Sequence, residues 1–305
     1  MSHFPVRLER PRGAMALLAL EPETAVIFVH GFLGDPRATW IDFQNLVDDL
    51  DEQRPIWSKC DLFFYHYRSK EQIGPLAEDF YNFLKADYRL VSYASILPSS
   101  LRVSSRVGRR VARYKSLVLV GHSAGAVIIR DVVLQNLKGS ELQEKLSSWQ
   151  PLQTPSDDLE RLIPQAELRL FAPAHLGVLG AGILGVAQSV RYLDKILEAY
   201  LRWNSLYQNL RSKSATLVNL QRETEALLSK YPAIKALKAS MLFGQQEYVV
   251  EVGGYSQDEF YGATPGHKHF EPNQNHVTVC KPCGSYRRPI EFVAQTFKQT
   301  RAANE

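Results

Sequence analysis

The chain has 305 residues, 45% of them hydrophobic and 22% charged, and a formal net charge of +4. That length holds one large α/β domain or two small ones with a substantial core, and the composition is that of a soluble globular protein. So small a net charge says little about partners, and three cysteines (Cys60, Cys280 and Cys283) supply no disulfide framework, which points to a reducing, cytoplasmic setting.

The segment 1–12 mixes His, Arg and Glu, and the apolar stretch 14–20 behind it is too short and poorly flanked for a signal peptide or an anchor. Ala25-Val26-Ile27-Phe28-Val29 has the character of a buried strand ending at His30-Gly31. A helix is expected over 40–50 and a strand over 61–67. A second helix follows over 76–90, with Leu76, Phe80, Phe83 and Leu84 on its apolar face. Ser116-Leu117-Val118-Leu119-Val120 predicts the next strand, with a helix running to about 137; 147–158 is the best loop candidate.

Leu168-Arg169-Leu170-Phe171-Ala172 forms a further strand, stopped by Pro173. The apolar stretch 170–190 approaches the length of a membrane span, but Pro173, His175, Gln188 and several glycines interrupt it; a buried strand followed by an apolar lid fits better. From 177 to 238 the pattern is helical, including 190–210 and 215–228. Sixty residues exceed what a crossover needs, so an inserted helical cap is expected there. A strand resumes at Ala239-Ser240-Met241-Leu242-Phe243, and 290–301 reads as a closing helix. Strands alternating with helices in this way predict a single α/β domain with a mostly parallel central sheet.

One motif sits at the junction of a strand and a helix: Gly121-His122-Ser123-Ala124-Gly125, a G-x-S-x-G. A serine there is placed as a nucleophile on a turn so tight that its neighbours must be small, and the N–H of Ala124 points at the same spot from the helix N-terminus. A serine hydroxyl needs a histidine to remove its proton, and the histidine needs an acid to orient it. The acid belongs after a late strand. Glu247 fits best, with Asp258 the runner-up and Glu251 third. Of the histidines that follow, His276 leads a short apolar run (Val277-Thr278-Val279-Cys280) and suits a base over a sheet edge, whereas His267 and His269 flank a lysine in a Gly/Pro-rich loop. His122 and His175 suit shaping the pocket rather than carrying protons. The loop His30-Gly31-Phe32-Leu33-Gly34 supplies the second oxyanion donor, the N–H of Phe32 or, second, that of Leu33. His30, Gly31, Leu33, His122 and Leu176 are the candidates for contact with substrate.

His30-Gly31-Phe32-Leu33-Gly34-Asp35 with Trp40, the Gly121–Gly125 motif, Phe171-Ala172-Pro173-Ala174-His175-Leu176-Gly177, and Asn275-His276 with Cys280-Lys281-Pro282 together resemble a lipase-like serine esterase group of α/β-hydrolases, related to serine-active-site-containing proteins and GPI inositol-deacylases. The resemblance spans about 24–285. It implies an α/β-hydrolase fold and hydrolysis of carboxylic esters through an acyl-enzyme, with no metal or organic cofactor. That group usually has Asp at the acid position, where this chain has Glu247.

Two other patterns compete. His276 with Cys280 and Cys283 gives H-x3-C-x2-C, a conceivable zinc knot with His267 or His269 as a fourth ligand, though it would consume the only good base. Arg102, Arg106, Arg109 and Arg113 share one helical face, which suits an exposed helix face or peripheral contact with an anionic membrane; no interleaved aromatics or reader motif suggest nucleic acid. The apolar wall of 176–190 points to an acyl or lipid ester. Acyl transfer, thioester or peptide cleavage on the same residues stays open, as does a non-catalytic binding module using the cap and the basic helix.

Overall fold

A computed structural model describes residues 3–7, 14–19, 21–46, 57–85, 114–139, 159–179, 203–262 and 270–302. Their centre is a mixed, mostly parallel sheet of nine strands. The first two, β1 (His3–Arg7) and β2 (Met15–Ala19), form an antiparallel pair, and β2 joins β4 (Cys60–Tyr65), also antiparallel. Neither stands out in the sequence, because 14–20 is a short apolar run and 3–7 carries His, Pro and Arg.

The parallel core then runs β4, β3 (Thr24–Val29), β5 (Ser116–His122), β6 (Glu167–Phe171) and β7 (Ala239–Gln246). Beyond it, two short strands share the outer edge of β7, both parallel to it: β8 (Glu259–Phe260) at Ser240 and Met241, and β9 (Phe270–Asn275) at Phe243 to Gln246. The sequence reading lacks β9, since Pro272, Asn273 and Gln274 spoil any apolar alternation. Gly244 admits the strand, because a Cβ there would stand 2.4 Å from the Gln274 carbonyl oxygen.

The helices sort onto two faces by chain direction. From β3 the chain steps one way to β4 through α1 (Pro36–Leu46), and from β4 it steps back to β5 through α2 (Ile73–Lys85). Right-handed crossovers put these helices on opposite sides. With α1 lies α6 (Arg288–Ala302): Phe28 meets Trp40 at 5.1 Å, and Phe171 meets Phe292 at 5.0 Å. On the other side α3 (Ala124–Lys138) packs against α2. Helices α1 and α2 begin earlier than the apolar periodicity suggests, and 47–50 and 86–90 lie outside the described residues.

The expected cap is the main revision. Of 177–238, residues 180–202 lie outside the described residues. The rest divides in two. Helix α4 (Ser205–Leu210) lies over the strand ends: Tyr207 faces Phe32, and Asn209 Oδ1 accepts the Ile73 N–H at 3.0 Å. Helix α5 (Ala215–Lys230), by contrast, packs on α3, burying Leu217, Leu220 and Leu228, and so acts as the crossover from β6 to β7. Its apolar stripe needs a partner, and α3 supplies one. The stretch from Leu170 is strand and turn as far as Leu179, and no helix among the described residues is long and apolar enough to cross a membrane. The 147–158 loop, Arg102, Arg106, Arg109, Arg113, His267 and His269 all lie outside the described residues.

Candidate active site

Parallel strands bring their C-terminal ends to one edge of the sheet, where α/β proteins place their ligands. At that edge β3 delivers His30-Gly31, β5 delivers Ser123, β7 delivers Glu247 and β9 delivers His276. Ser123 has φ 52° and ψ −117°, a strained conformation for a residue with a side chain. The turn from β5 into α3 is held by Ser123 N–H donating to the Phe171 carbonyl at 3.0 Å and by Ala174 N–H donating to the Ser123 carbonyl at 3.3 Å. Gly125 is obligatory: a Cβ would sit 2.3 Å from the Val29 carbonyl oxygen. Ala124 opens α3, so its N–H has no acceptor within the helix.

Glu247 and His276 meet across 29 residues of sequence. The His276 Nδ1–H donates to Glu247 at 3.1 Å from each carboxylate oxygen, with the Glu247 side chain 1% exposed. Glu247 is itself fixed, because Oε1 accepts the N–H groups of Val249 (2.8 Å) and Val250 (3.1 Å). The base is held by a turn of its own. Asn275 Oδ1 accepts the N–H groups of Val277 and Thr278, and Thr278 Oγ1 accepts that of Asn275. From the motif side, His122 Nε2–H donates to the His276 carbonyl at 2.8 Å. His122 therefore ties the nucleophile turn to the base.

Asp258, the runner-up acid, is elsewhere. Its side chain is fully buried in an ion pair with Arg130 of α3 and accepts the N–H groups of Ala239 (2.9 Å) and Tyr255 (3.0 Å). Glu251 accepts from the Ser212 hydroxyl at 2.7 Å. His175 belongs with Asp258 rather than with the pocket, stacked on Tyr255 at 4.8 Å.

A cavity of about 380 Å³ opens at Ser123 and His276. Among the described residues its walls include three of the candidate substrate contacts, Gly31, Leu33 and His122, together with Phe32, Val178 and Val249. The same wall holds Val277, Cys280 and Lys281, none of them a substrate-contact candidate from the sequence; their signal is proximity to His276 in one short run. Two expected substrate contacts are not among these walls. Leu176 lies against Gly253 instead. His30 is buried beneath the loop, its ring stacked on Tyr67 at 4.2 Å, its Nδ1–H donating to the Gly31 carbonyl (2.9 Å) and its Nε2 accepting the Tyr67 N–H (3.3 Å). It holds the loop from below. In that loop Leu33 has φ 57° and its N–H donates to Ser69 Oγ at 2.9 Å, which occupies the alternative oxyanion donor.

Of the H-x3-C-x2-C residues, His276 is engaged by Glu247, Cys280 is buried and Cys283 is exposed. Among the described residues no three His, Cys, Asp or Glu side chains gather as a metal site, and no disulfide joins the three cysteines.

Burial pulls His30 down to about 4 and His122 and His175 to about 3, so all three are neutral at pH 7. Unfolded, they titrate near about 6.5. The unfolded chain then binds more protons below that pH, and stability is lost as pH falls from about 6.5 towards the folded values. Each of the three should cost about 2 kcal/mol between about pH 7 and pH 5. Urea unfolding at those two pH values checks this, and equal stability at both would contradict it.

The strand order β1-β2-β4-β3-β5-β6-β7-β8, with β2 alone reversed, and a serine turn after β5 decide the architecture. The chain has the α/β-hydrolase fold. No protein-family model and no curated protein matches the sequence. Solved structures of similar fold include esterase B from Lactobacillus rhamnosis, at 14% identity over 99% of this chain and 89% of that one, TM-score 0.45. Carboxylesterase CesB from Bacillus subtilis is 12% identical over 97% and 90%, TM-score 0.41. Phospholipase PlaB from Legionella pneumophila is 17% identical over 73% of this chain and 39% of its own, TM-score 0.41.

Proposed function

We propose that this α/β-hydrolase is a serine hydrolase that cleaves carboxylic esters through an acyl-enzyme, with acyl or lipid esters as substrates. One observation carries the reading: a carboxylate fixed by two backbone amides orients His276 in the pocket that also contains Ser123. In this scheme Ser123 Oγ attacks the ester carbonyl and His276 takes its proton. Glu247 holds the imidazole in the right tautomer and offsets the charge it gains. The N–H groups of Phe32 and Ala124 receive the developing oxyanion, and each such donor is worth about 3 kcal/mol. His276 then protonates the leaving alcohol, giving acyl-Ser123. Water, deprotonated by His276, attacks that ester, and the proton returns to Ser123 as the acid departs.

The pocket favours an acyl chain because Phe32, Leu33, Val178, Val249 and Val277 provide its apolar walls. Kinship with lipase-like serine esterases and a cytoplasmic setting are part of the same reading, drawn from the motifs and the cysteines. A fluorophosphonate probe tests it. Wild-type protein is expected to label covalently at Ser123 and Ser123→Ala to stay unlabelled; labelling of the variant, or none of the wild type, rejects the mechanism.

A further inference from the structure

Lys281 has no part in the acyl-enzyme chemistry, yet it lines the pocket. Among the described residues of that wall it has the one permanent charge; every other wall residue is apolar, small or neutral except His276, which is paired with Glu247. Lys281 is half-buried, and no described carboxylate lies within ion-pairing distance of it. Several other ammonium groups find partners, Lys59 and Lys115 on Glu23, Lys138 on Glu223 and Lys235 on Glu167, and the described lysines that do not, such as Lys70, Lys213 and Lys238, are exposed where Lys281 is half-buried. Its backbone is fixed, with the Lys281 N–H donating to the Thr278 carbonyl at 3.0 Å and the buried Pro282 following. Its charge is also felt inside the pocket, as one of the lesser causes, after burial, that keep His122 neutral.

A cation drawn part-way out of water on an apolar wall attracts an anion more strongly than a solvated one does, and discriminates against neutral ligands. We infer that the ester substrate has an anionic group, and that Lys281 receives it beside the nucleophile. This rests on the ester-hydrolase reading above. The anion can sit on the acyl side, as the far carboxylate of a dicarboxylic half-ester, or on the alcohol side, as a phosphate.

Two matched pairs of esters separate these: 4-nitrophenyl pentanoate against mono-4-nitrophenyl glutarate, and monopentanoyl glycerol against pentanoyl glycerol 3-phosphate. Wild-type protein is expected to prefer one anionic ester over its neutral mate by about tenfold or more in kcat/KM. That ratio is expected to fall to near parity in Lys281→Met, to invert in Lys281→Glu and to survive in Lys281→Arg. Comparing ratios within each variant cancels any general loss of activity. Should Lys281→Met not fold, the wild-type preference must still shrink as ionic strength rises from about 0.02 M to about 0.5 M. No preference in either pair, a preference that salt does not weaken, or one unchanged in Lys281→Met overturns the inference. Turnover of the neutral esters in those cases leaves the ester-hydrolase reading standing. Absence of turnover on all four esters overturns the inference, and absence of fluorophosphonate labelling as well overturns both readings.

Discussion

Glu247→Gln is expected to lower kcat by about 10³–10⁴-fold with little change in KM. The carboxylate accepts one proton-bearing nitrogen, Nδ1 of His276, and two backbone amides. An amide in its place keeps the shape but removes the negative charge that offsets the imidazolium in the transition state. Its NH₂ group can also favour the tautomer with the proton on Nε2, which cannot accept from Ser123. Since Glu247 is buried behind His276 and is not among the cavity walls, ground-state binding is expected to persist. Asp258→Asn is the control that separates the two acids. Asp258 pairs with Arg130 of α3 and is not among the cavity walls, so its loss should leave kcat within a few-fold of wild type at a temperature where the protein is folded. Steady-state kinetics on one nitrophenyl ester decide it: a collapse in Asp258→Asn with Glu247→Gln spared would transfer the acid role.

The second large effect concerns stability. Arg130 is 1% and Asp258 0% exposed at the side chain, so the pair is sealed from water. Arg130 Nη1–H also donates to the Leu237 carbonyl at 2.8 Å, and its guanidinium lies over the Tyr255 ring at 5.0 Å. Removing one partner leaves a buried charge with nothing opposite, which typically costs about 3–5 kcal/mol. Arg130→Met and Asp258→Leu should each lower the unfolding free energy by about that amount. The double variant should cost clearly less than their sum, because the stranded charge is gone. Denaturant titrations of the three variants measure this, and strict additivity would argue that the pair is not coupled.

Much of the site was legible because its chemistry is local. A serine between small residues after an apolar run, and a histidine heading an apolar run behind a polar loop, keep their meaning whatever the distant contacts. Glu247 was findable because the carboxylate follows β7 directly. What escaped depended on tertiary neighbours. Strand β9 has Pro272 and an Asn273 with φ 59°, so nothing in its own pattern says strand; it exists because β7 offers an open edge and Gly244 yields room. Helix α5 carries an ordinary apolar stripe that suits a lid or a crossover equally, and only α3 decides. His30 looked like a substrate contact because it precedes Gly31, yet Tyr67, 37 residues away, claims its ring. Leu176 finds a place away from the pocket walls for the same kind of reason, because Gly253 has no Cβ to fill the space its side chain occupies.

The two margins of the sheet bear on how copies of this chain meet one another. At one margin β1 places Pro5, which has no N–H to offer, in a strand of five residues. At the other, the edge of β7 is divided between β9 and the two-residue β8. A neighbouring molecule looking for a continuous ladder of hydrogen bonds finds an interrupted one on each side. Strand-to-strand stacking, the first step towards fibrous aggregates, is therefore poorly templated among the described strands, and self-association has to use side-chain surfaces instead.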